Sequence, residues 1–506
     1  TYYIGEEASE VQVTDVMFYG DSIYAQTKNK NYAACIHDNV VDFHFWKVCS
    51  ALPRPFDTKK GKEYTMQDGD VWKVAGEKGI FRKFITGEET YYLPDGPQVN
   101  TPYNMTFDRG RLYVVPGGRW ASQNNAAGHI MIYENGEWLN ITSKQIQGIT
   151  GKKALDFMNV TVDPEDHEHF FVTSYGTGLY EFKNDVLINH YTPSNSILGS
   201  AAPNNPDRYT RTSYAAYDND GMLWMLVAGD VDTTIVAFLP NGTQRGINLF
   251  SNNSRFIIHT PGGLIVDKNN PSRKWILSCR ANPFVAMIDD GGTPFSQDDD
   301  QFKVQGEFYD QDGQVIVPEF YYGMAQAPNG DMWIGTSCGP IIIPHTIDFM
   351  TSTQCQRLRI PMADGNYLLE MERVNAFAFD NQNQIWIGTA QSGIYVLNED
   401  ATEIIAHYTN DNTVMPSNTV ISLAFDDYTN CMYIGTGEGL VSYKLSADTA
   451  LNSGIIDEDI TYGTMYQWKS HLAFSEINQV ENLGGHIYAL SNHSLFSVNK
   501  RTEEIE

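Results

Sequence analysis

Cysteine is scarce and scattered: six in 506 residues, at 35, 49, 279, 338, 355 and 431, with no C-x-x-C pair of the kind a structural zinc site needs. Buried free thiols are therefore the expectation. Cys338 and Cys355 stand close enough in sequence to meet within one repeat, and a disulfide there would favour an oxidising compartment. Basic residues are also few. With 34 Lys and Arg against 62 Asp and Glu the formal net charge is −28, which repels nucleic acid and anionic membrane surfaces as general partners but leaves room for one local basic pocket. No run approaches the roughly eighteen apolar residues of a membrane-spanning helix, and long helical periodicity is absent. The chain opens on Thr1-Tyr2-Tyr3-Ile4 without a charged-then-apolar leader, and so reads as a mature or trimmed form. Catalytic signatures are wanting too. No serine reads as the nucleophile of a strand-to-helix G-x-S-x-G elbow, no cysteine has a plausible histidine partner, and the phosphate-cradling G-x-x-x-x-G-K-[ST] loop is missing. A glycosidase needs two facing carboxylates, and no pair stands out among the 62 acidic residues. The sequence thus designates no catalytic, cofactor-binding or metal residue.

What is present is aromatic and β-forming: 12% aromatic and 19% charged residues describe a globular β-rich chain. The clearest unit spans 374–409, VNAFAFDNQNQIWIGTAQSGIYVLNEDATEIIAHYT. Its β-forming runs are separated by polar, Gly-bearing turns, giving a four-stranded antiparallel meander. Trp386 on one face and Ile385 and Ile387 on the other demand cover on both sides, as in a stack of sheets. The same words recur at 331–336 and 431–440, and Gly335, Gly388 and Gly435 at one place in three copies predict close approach of another backbone. Anchoring each copy on its aromatic gives Tyr24, Trp72, Tyr113, Phe171, Trp224, Trp275, Trp333, Trp386, Tyr433 and Tyr488. A period of about fifty residues with four strands per repeat is that of propeller blades. Rings close with about four to eight blades, so ten units must be shared between two. The fold class expected is all-β, two β-propellers of four-stranded antiparallel blades.

Several segments carry candidate chemistry. Asp166-His167-Glu168-His169 is rich in metal ligands, but is expected in a hairpin turn, where polar residues belong anyway. Asp298-Asp299-Asp300 has carboxylates suited to calcium, yet no twelve-residue calcium loop surrounds it and a solvated acidic loop is the simpler reading. Trp120, Trp138 and Tyr103 could stack on sugar rings, although between sheets an aromatic more often packs. The stretch 116–128 is too long for a tight turn, and such rim loops are where binding surfaces are placed. Residues 190–198, HYTPSNSIL, echo 407–415, HYTNDNTVM, which supports true internal repetition. Residues 289–312 read as acidic and aperiodic, and 447–459 as a polar, acidic linker.

The W-I-G-T-x-x-G-[IV] repeats near 333, 386 and 433 resemble the propeller repeats of Bacteroidetes sensors and secretion proteins. The longer spans 111–118, 158–198 and 368–443 resemble the PorZ-like surface components of the type IX secretion system. That resemblance implies two propellers of about seven blades each, followed by a C-terminal secretion domain not seen in this chain, and a function without catalysis or cofactor. It implies a place at the outer face of the outer membrane with a PorU-like sortase, PorV and PorQ in an attachment complex. Binding of anionic lipopolysaccharide and its presentation to the sortase follow from the same resemblance. It divides the chain into 1–100, blades of a first propeller; 101–450, the remaining blades, mostly of a second; 451–461, a linker; and 462–506, which looks like the family's N-terminal blade. That last segment stands at the wrong end, as in a rearranged or permuted chain with blades missing between the pieces. The alternative is the periplasmic oligosaccharide-sensing propeller region of a hybrid two-component regulator, and a third reading is a polysaccharide-cleaving propeller. A sensor should continue into a membrane helix, whereas 447–459 is acidic.

Overall fold

Short β-branched and aromatic runs, punctuated by Gly, Asn and Asp, fold into successive antiparallel hairpins. The computed structural model describes residues 13–505 apart from 28–29, 39, 41–44, 54–62, 77, 119–120, 230, 232, 252–253, 294–295, 297, 360–365, 446–466, 475–476 and 492–493. Among the described residues ten sheets of three or four strands follow one another, spanning 13–48, 63–92, 104–141, 157–191, 212–247, 261–305, 321–343, 374–408, 420–471 and 479–499, hereafter sheets 1 to 10. All are antiparallel meanders; sheets 7 and 10 have three strands and the rest four. Each of the ten aromatic anchors lies on the second strand of its sheet, from Tyr24 in Ser22–Thr27 to Tyr488 in His486–Leu490. Local chemistry explains the turns. Asn135 and Gly136 both adopt positive φ (53° and 93°) between Ile130–Glu134 and Glu137–Ile141, as a two-residue hairpin requires.

A second repeated device was not read from the sequence. At the end of the first strand an aspartate caps the turn and accepts the indole N–H of the anchor tryptophan: Asp218 from Trp224 at 2.6 Å, Asp267 from Trp275 at 2.7 Å and Asp380 from Trp386 at 2.9 Å. The carboxylate thereby satisfies a donor that burial would otherwise strand.

Sheets 3 to 9 close into a ring. The first strands Asn104–Asp108, Phe157–Asp163, Thr212–Tyr217, Pro261–Val266, Tyr321–Gln326, Val374–Phe379 and Val420–Asp426 each contact the next, and the last contacts the first. Side chains stitch this inner wall: Thr106 Oγ1 donates to Val160 O (2.8 Å), Thr161 Oγ1 to Ala215 O (2.9 Å), Asn375 Nδ2 to Val420 O (2.7 Å) and Ser422 Oγ to Pro102 O (2.7 Å), which seals the ring. Every gap between neighbouring sheets holds its own apolar cluster, from Tyr113, Ile132 and Phe170 between sheets 3 and 4 round to Leu112, Met131 and Tyr433 between sheets 3 and 9. The two-faced pattern of the repeat is accounted for: Trp386 packs toward sheet 9, Ile385 and Ile387 toward sheet 7. At about 1.5–3 kcal/mol per large side chain fully buried, such clusters are what makes a sheet that cannot shield itself stable in a stack. The three glycines behave as their position predicts in two cases. A Cβ on Gly335 would meet Val374 O at 2.3 Å and one on Gly435 would meet Pro102 O at 2.6 Å, whereas Gly388 faces the Val420 side chain.

The remaining sheets stack as an arc in the order 1, 10, 2. Sheet 10 packs Leu490 and Leu495 against Val16 and Phe18, and on its other face Val480, Ile487 and Phe496 against Trp72 and Ile80. The chain therefore leaves the arc, builds the ring and returns. Trp468–His471 is the outer strand of sheet 9, and 479–499 form sheet 10. At the double crossing a Cβ on Gly96 would meet Leu472 O at 2.6 Å, and Ala473 N donates to Asn100 Oδ1 at 2.7 Å.

Two sequence expectations need correction. Residues 289–312 are not aperiodic: Gln301–Gln305 is the fourth strand of sheet 6, and Phe308–Tyr309 pairs with Val315–Ile316. The segment Asp166 to His169 is not a turn but the start of the strand Asp166–Ser174, the turn being confined to Pro164 and Glu165. Helix is short but present at Ser143–Thr150, started by the Thr142/Gln145 capping box, burying Ile146 and ended by Gly151 at φ 71°. The linker 447–459 and residues 1–12 lie outside the described residues.

Candidate functional site at the mouth of the seven-sheet ring

All seven inner strands begin at the same end of the ring, so the loops that lead into them gather around one opening. There they line a cavity of about 670 Å³. In six of the seven sheets the residue immediately before the inner strand is held by the same bond, its carbonyl accepting the N–H of the residue that follows the second strand; in sheet 3 that residue is Pro116, which has no N–H to give. The pairs are Tyr175 with Asp156, Ala228 with Arg211, Cys279 with Thr260, Ser337 with Phe320, Ala390 with Arg373 and Gly437 with Thr419, at 2.8 to 3.1 Å. A fixed backbone thus carries a varied circle of side chains: Asp156, Arg211, Thr260, Phe320, Arg373 and Thr419. That circle is where this scaffold can change ligand without changing fold.

Cations and aromatic faces dominate. The Arg373 guanidinium lies 4.8 Å from the Tyr322 ring centre, and Arg211 lies 4.9 Å from Tyr175 and 5.1 Å from Tyr209. Arg280 enters from the loop after Arg273–Ser278 and donates from Nε to Thr260 Oγ1 at 3.1 Å. Among the described residues no carboxylate pairs with Arg211 or Arg373 within 4 Å. Burial pushes the Tyr322 hydroxyl up and Arg373 opposes it, so the phenol stays a neutral donor. The nearest counter-charge on the circle is Asp156, whose carboxyl burial raises, while it accepts from Ala126 N at 2.8 Å. In a chain of net charge −28, two arginines in the cavity and Arg211 on the same circle are positive groups suited to carboxylates or phosphates on a ligand that can stack on tyrosine.

Of the aromatic candidates, Tyr103 lines this cavity. Trp138 does not, and packs instead against Tyr133 (5.1 Å) and His471 (5.7 Å). Trp120 lies outside the described residues. The long 116–128 loop delivers Ser122 and Gln123 to the mouth, as rim loops do. The histidine-rich segment does not converge. His167 Nδ1 meets Asp108 at 2.9 Å, His169 bridges Asp163 (3.0 Å) and Glu181 (2.9 Å), and Asp166 pairs with Lys183. Asp300 is engaged by Arg245 at 2.6 Å and Asp299 accepts from Thr293 Oγ1 at 2.5 Å. Cys338 and Cys355 are both free thiols. The letters G-x-S-x-G do occur at 335–339, but as a tight turn between Met332–Thr336 and Gly339–Ile343, where no helix follows to expose the serine. The arginines of the mouth were missed by sequence reasoning. For Arg211 and Arg373 the signal was positional, the residue just before the first strand of the repeat, whereas Arg280 follows a second strand.

A solved structure shares this fold across nearly the whole chain. It is that of PorZ of Porphyromonas gingivalis, described as an essential bacterial surface component of the type IX secretion system; 98% of this chain covers 81% of that one at a TM-score of 0.64 and 21% identity. The fold matches that of PorZ. The extracellular domain of a putative hybrid two-component system from B. thetaiotaomicron also aligns over 99% of this chain and 66% of its own length, but at 14% identity and a TM-score of 0.36 that likeness carries no weight. No family model matches the chain, and no curated protein matches it. No helix among the described residues is long and apolar enough to cross a membrane.

Proposed function

We propose that this chain is the propeller part of a non-enzymatic component of the type IX secretion machinery at the outer face of the outer membrane, and that it binds the anionic glycan of lipopolysaccharide at the mouth of the seven-sheet ring. On this reading it works in an attachment complex, presenting the glycan to a PorU-like sortase, and needs no cofactor. The supporting observation is that Arg280 and Arg373 line one cavity, with Arg211 at the place equivalent to Arg373 just before the first strand of sheet 5, beside tyrosine faces on an otherwise acidic molecule. On the same reading residues 1–100 and 462–506 contribute to a first propeller and 101–450 mostly to a second, save that Trp468–His471 serves the ring as the outer strand of sheet 9.

The test is binding of the purified chain to immobilised anionic lipopolysaccharide and, separately, to free neutral oligosaccharides, with wild type and the R211A/R280A/R373A variant. Retention of lipopolysaccharide that falls with salt and is lost in the variant is expected. Retention of the neutral oligosaccharides alone would sink the reading and favour the sensor alternative.

A further inference from the structure

The aspartate that ties the anchor tryptophan is replaced in one sheet of the ring. Aligned on the tryptophan, Asp218 and Asp380 stand six residues before Trp224 and Trp386, and in sheet 7 that position is Ala327, six before Trp333. The backbone turn is unchanged: Ala327 N donates to Asp331 O at 2.8 Å, as Asp218 N does to Met222 O at 3.0 Å and Asp380 N to Gln384 O at 3.2 Å. The carboxylate alone is gone. Trp333 is only 3% exposed, and its indole N–H bonds to nothing among the described residues. In sheet 2 the same substitution, Met66 before Trp72, is filled by packing of the Met66 side chain. In sheet 7 it is not filled. Ala327 and Trp333 instead line a cavity of about 510 Å³ between sheets 7 and 8, at the far end of the inner strands from the arginine-rich mouth.

The lining sets the ligand chemistry. None of the described residues around this cavity is basic, which excludes an anion as occupant. Two of the three acids are already committed: Asp331 accepts from His345 Nδ1 (2.7 Å) and Asn329 Nδ2 (2.9 Å), and Glu399 from Asn383 Nδ2 (2.8 Å), while Asp400 has no partner among the described residues. What lines the space is the Trp333 indole, an apolar wall that includes Phe379, and a rim of amides and the carboxylates of Asp331, Glu399 and Asp400. Mixed donors and acceptors beside an apolar face match a ring of hydroxyls with exposed C–H groups, and the volume lies in the usual range for small-ligand sites, about 300–1,000 Å³. We propose that the Ala327–Trp333 cavity is a binding site for an uncharged pyranose, with the Trp333 indole N–H donating to a sugar oxygen where sheets 5, 6 and 8 offer their tryptophan an aspartate. The inference does not rest on the mouth, which is a separate cavity of opposite charge preference.

Ligand-observed saturation-transfer NMR tests it, using the methyl pyranosides of glucose, galactose, mannose and N-acetylglucosamine on the intact chain, with A327D and W333F. Ala327→Asp restores the tie found in sheets 5, 6 and 8, so it should keep or raise the melting temperature while abolishing transfer to any pyranoside that wild type binds. Trp333→Phe removes the donor and keeps an aromatic floor, and should weaken binding by about tenfold. Failure of every pyranoside to bind wild type, binding unchanged by A327D and W333F, or preferential binding of lysine methyl ester would each overturn the proposal.

Discussion

His471 should make the junction between ring and arc sensitive to mild acid. It is 3% exposed, shares a hydrogen bond with Ser442 Oγ at 2.9 Å, and is walled by Tyr133 (4.8 Å), Trp138 (5.7 Å) and Tyr433 (6.2 Å). Burial, with the Lys469 cation adding to it, lowers its pKa from 6.5 to about 3. The sign follows from linkage. A depressed folded pKa means that the unfolded chain takes up the proton first, so the contribution is present above the unfolded value and is lost as pH falls from 6.5 toward about 3. At about pH 5 the unfolded imidazole is almost fully protonated and the folded one is not, a loss of about 2 kcal/mol relative to about pH 7 at roughly 1.4 kcal/mol per pH unit. Urea unfolding of wild type and H471Q at both pH values isolates the term, since every other titrating group is common to both proteins. Gln keeps an amide to pair with Ser442. Wild type should lose about 2 kcal/mol more than the variant between the two conditions. Equal losses would refute the claim that this ring is held neutral by its surroundings.

Asp380→Ala strands the Trp386 indole and the amides of Gln382 and Gln384, all bonded to that carboxylate at 2.9 Å, and should cost about 3 kcal/mol in denaturant unfolding. Lys274, 1% exposed, lies 3.6 Å from Asp218, is bonded to Asp290 and sits 4.5 Å from the Trp224 ring; K274M leaves two buried carboxylates uncompensated and should cost about 3–5 kcal/mol by calorimetry. At the mouth, R373A should weaken binding of an anionic oligosaccharide by about tenfold at low salt, and the difference should vanish near 1 M salt, where the screening length is about 3 Å.

The blades were legible because each repeat spells its own hairpins. A strand must bury an aromatic every second residue and reverse at Gly, Asn or Asp, so periodicity alone located all ten anchor strands, including those of Tyr24, Trp72 and Trp275. The strand Gln301–Gln305 was hidden because it is an outer, half-exposed strand whose polar residues cannot be told from a loop. The eight-residue helix Ser143–Thr150 escaped a search for long periodicity, although its capping box was there to read. The mouth was not legible because it is assembled from residues of different blades. Arg211 and Arg373 share only a place just before a first strand, Arg280 does not share it, and only closure of the ring brings Arg280 and Arg373 to one cavity.

The placement of sheet 10 between sheets 1 and 2 has a consequence for how this molecule is made. A ribosome releases the first two sheets long before the one that belongs between them, and the whole ring must be translated in the interval. During that wait Val16, Phe18, Trp72 and Ile80 have no partner surface, so nascent chains stalled short of residue 479 should be the ones that chaperones hold and proteases clip.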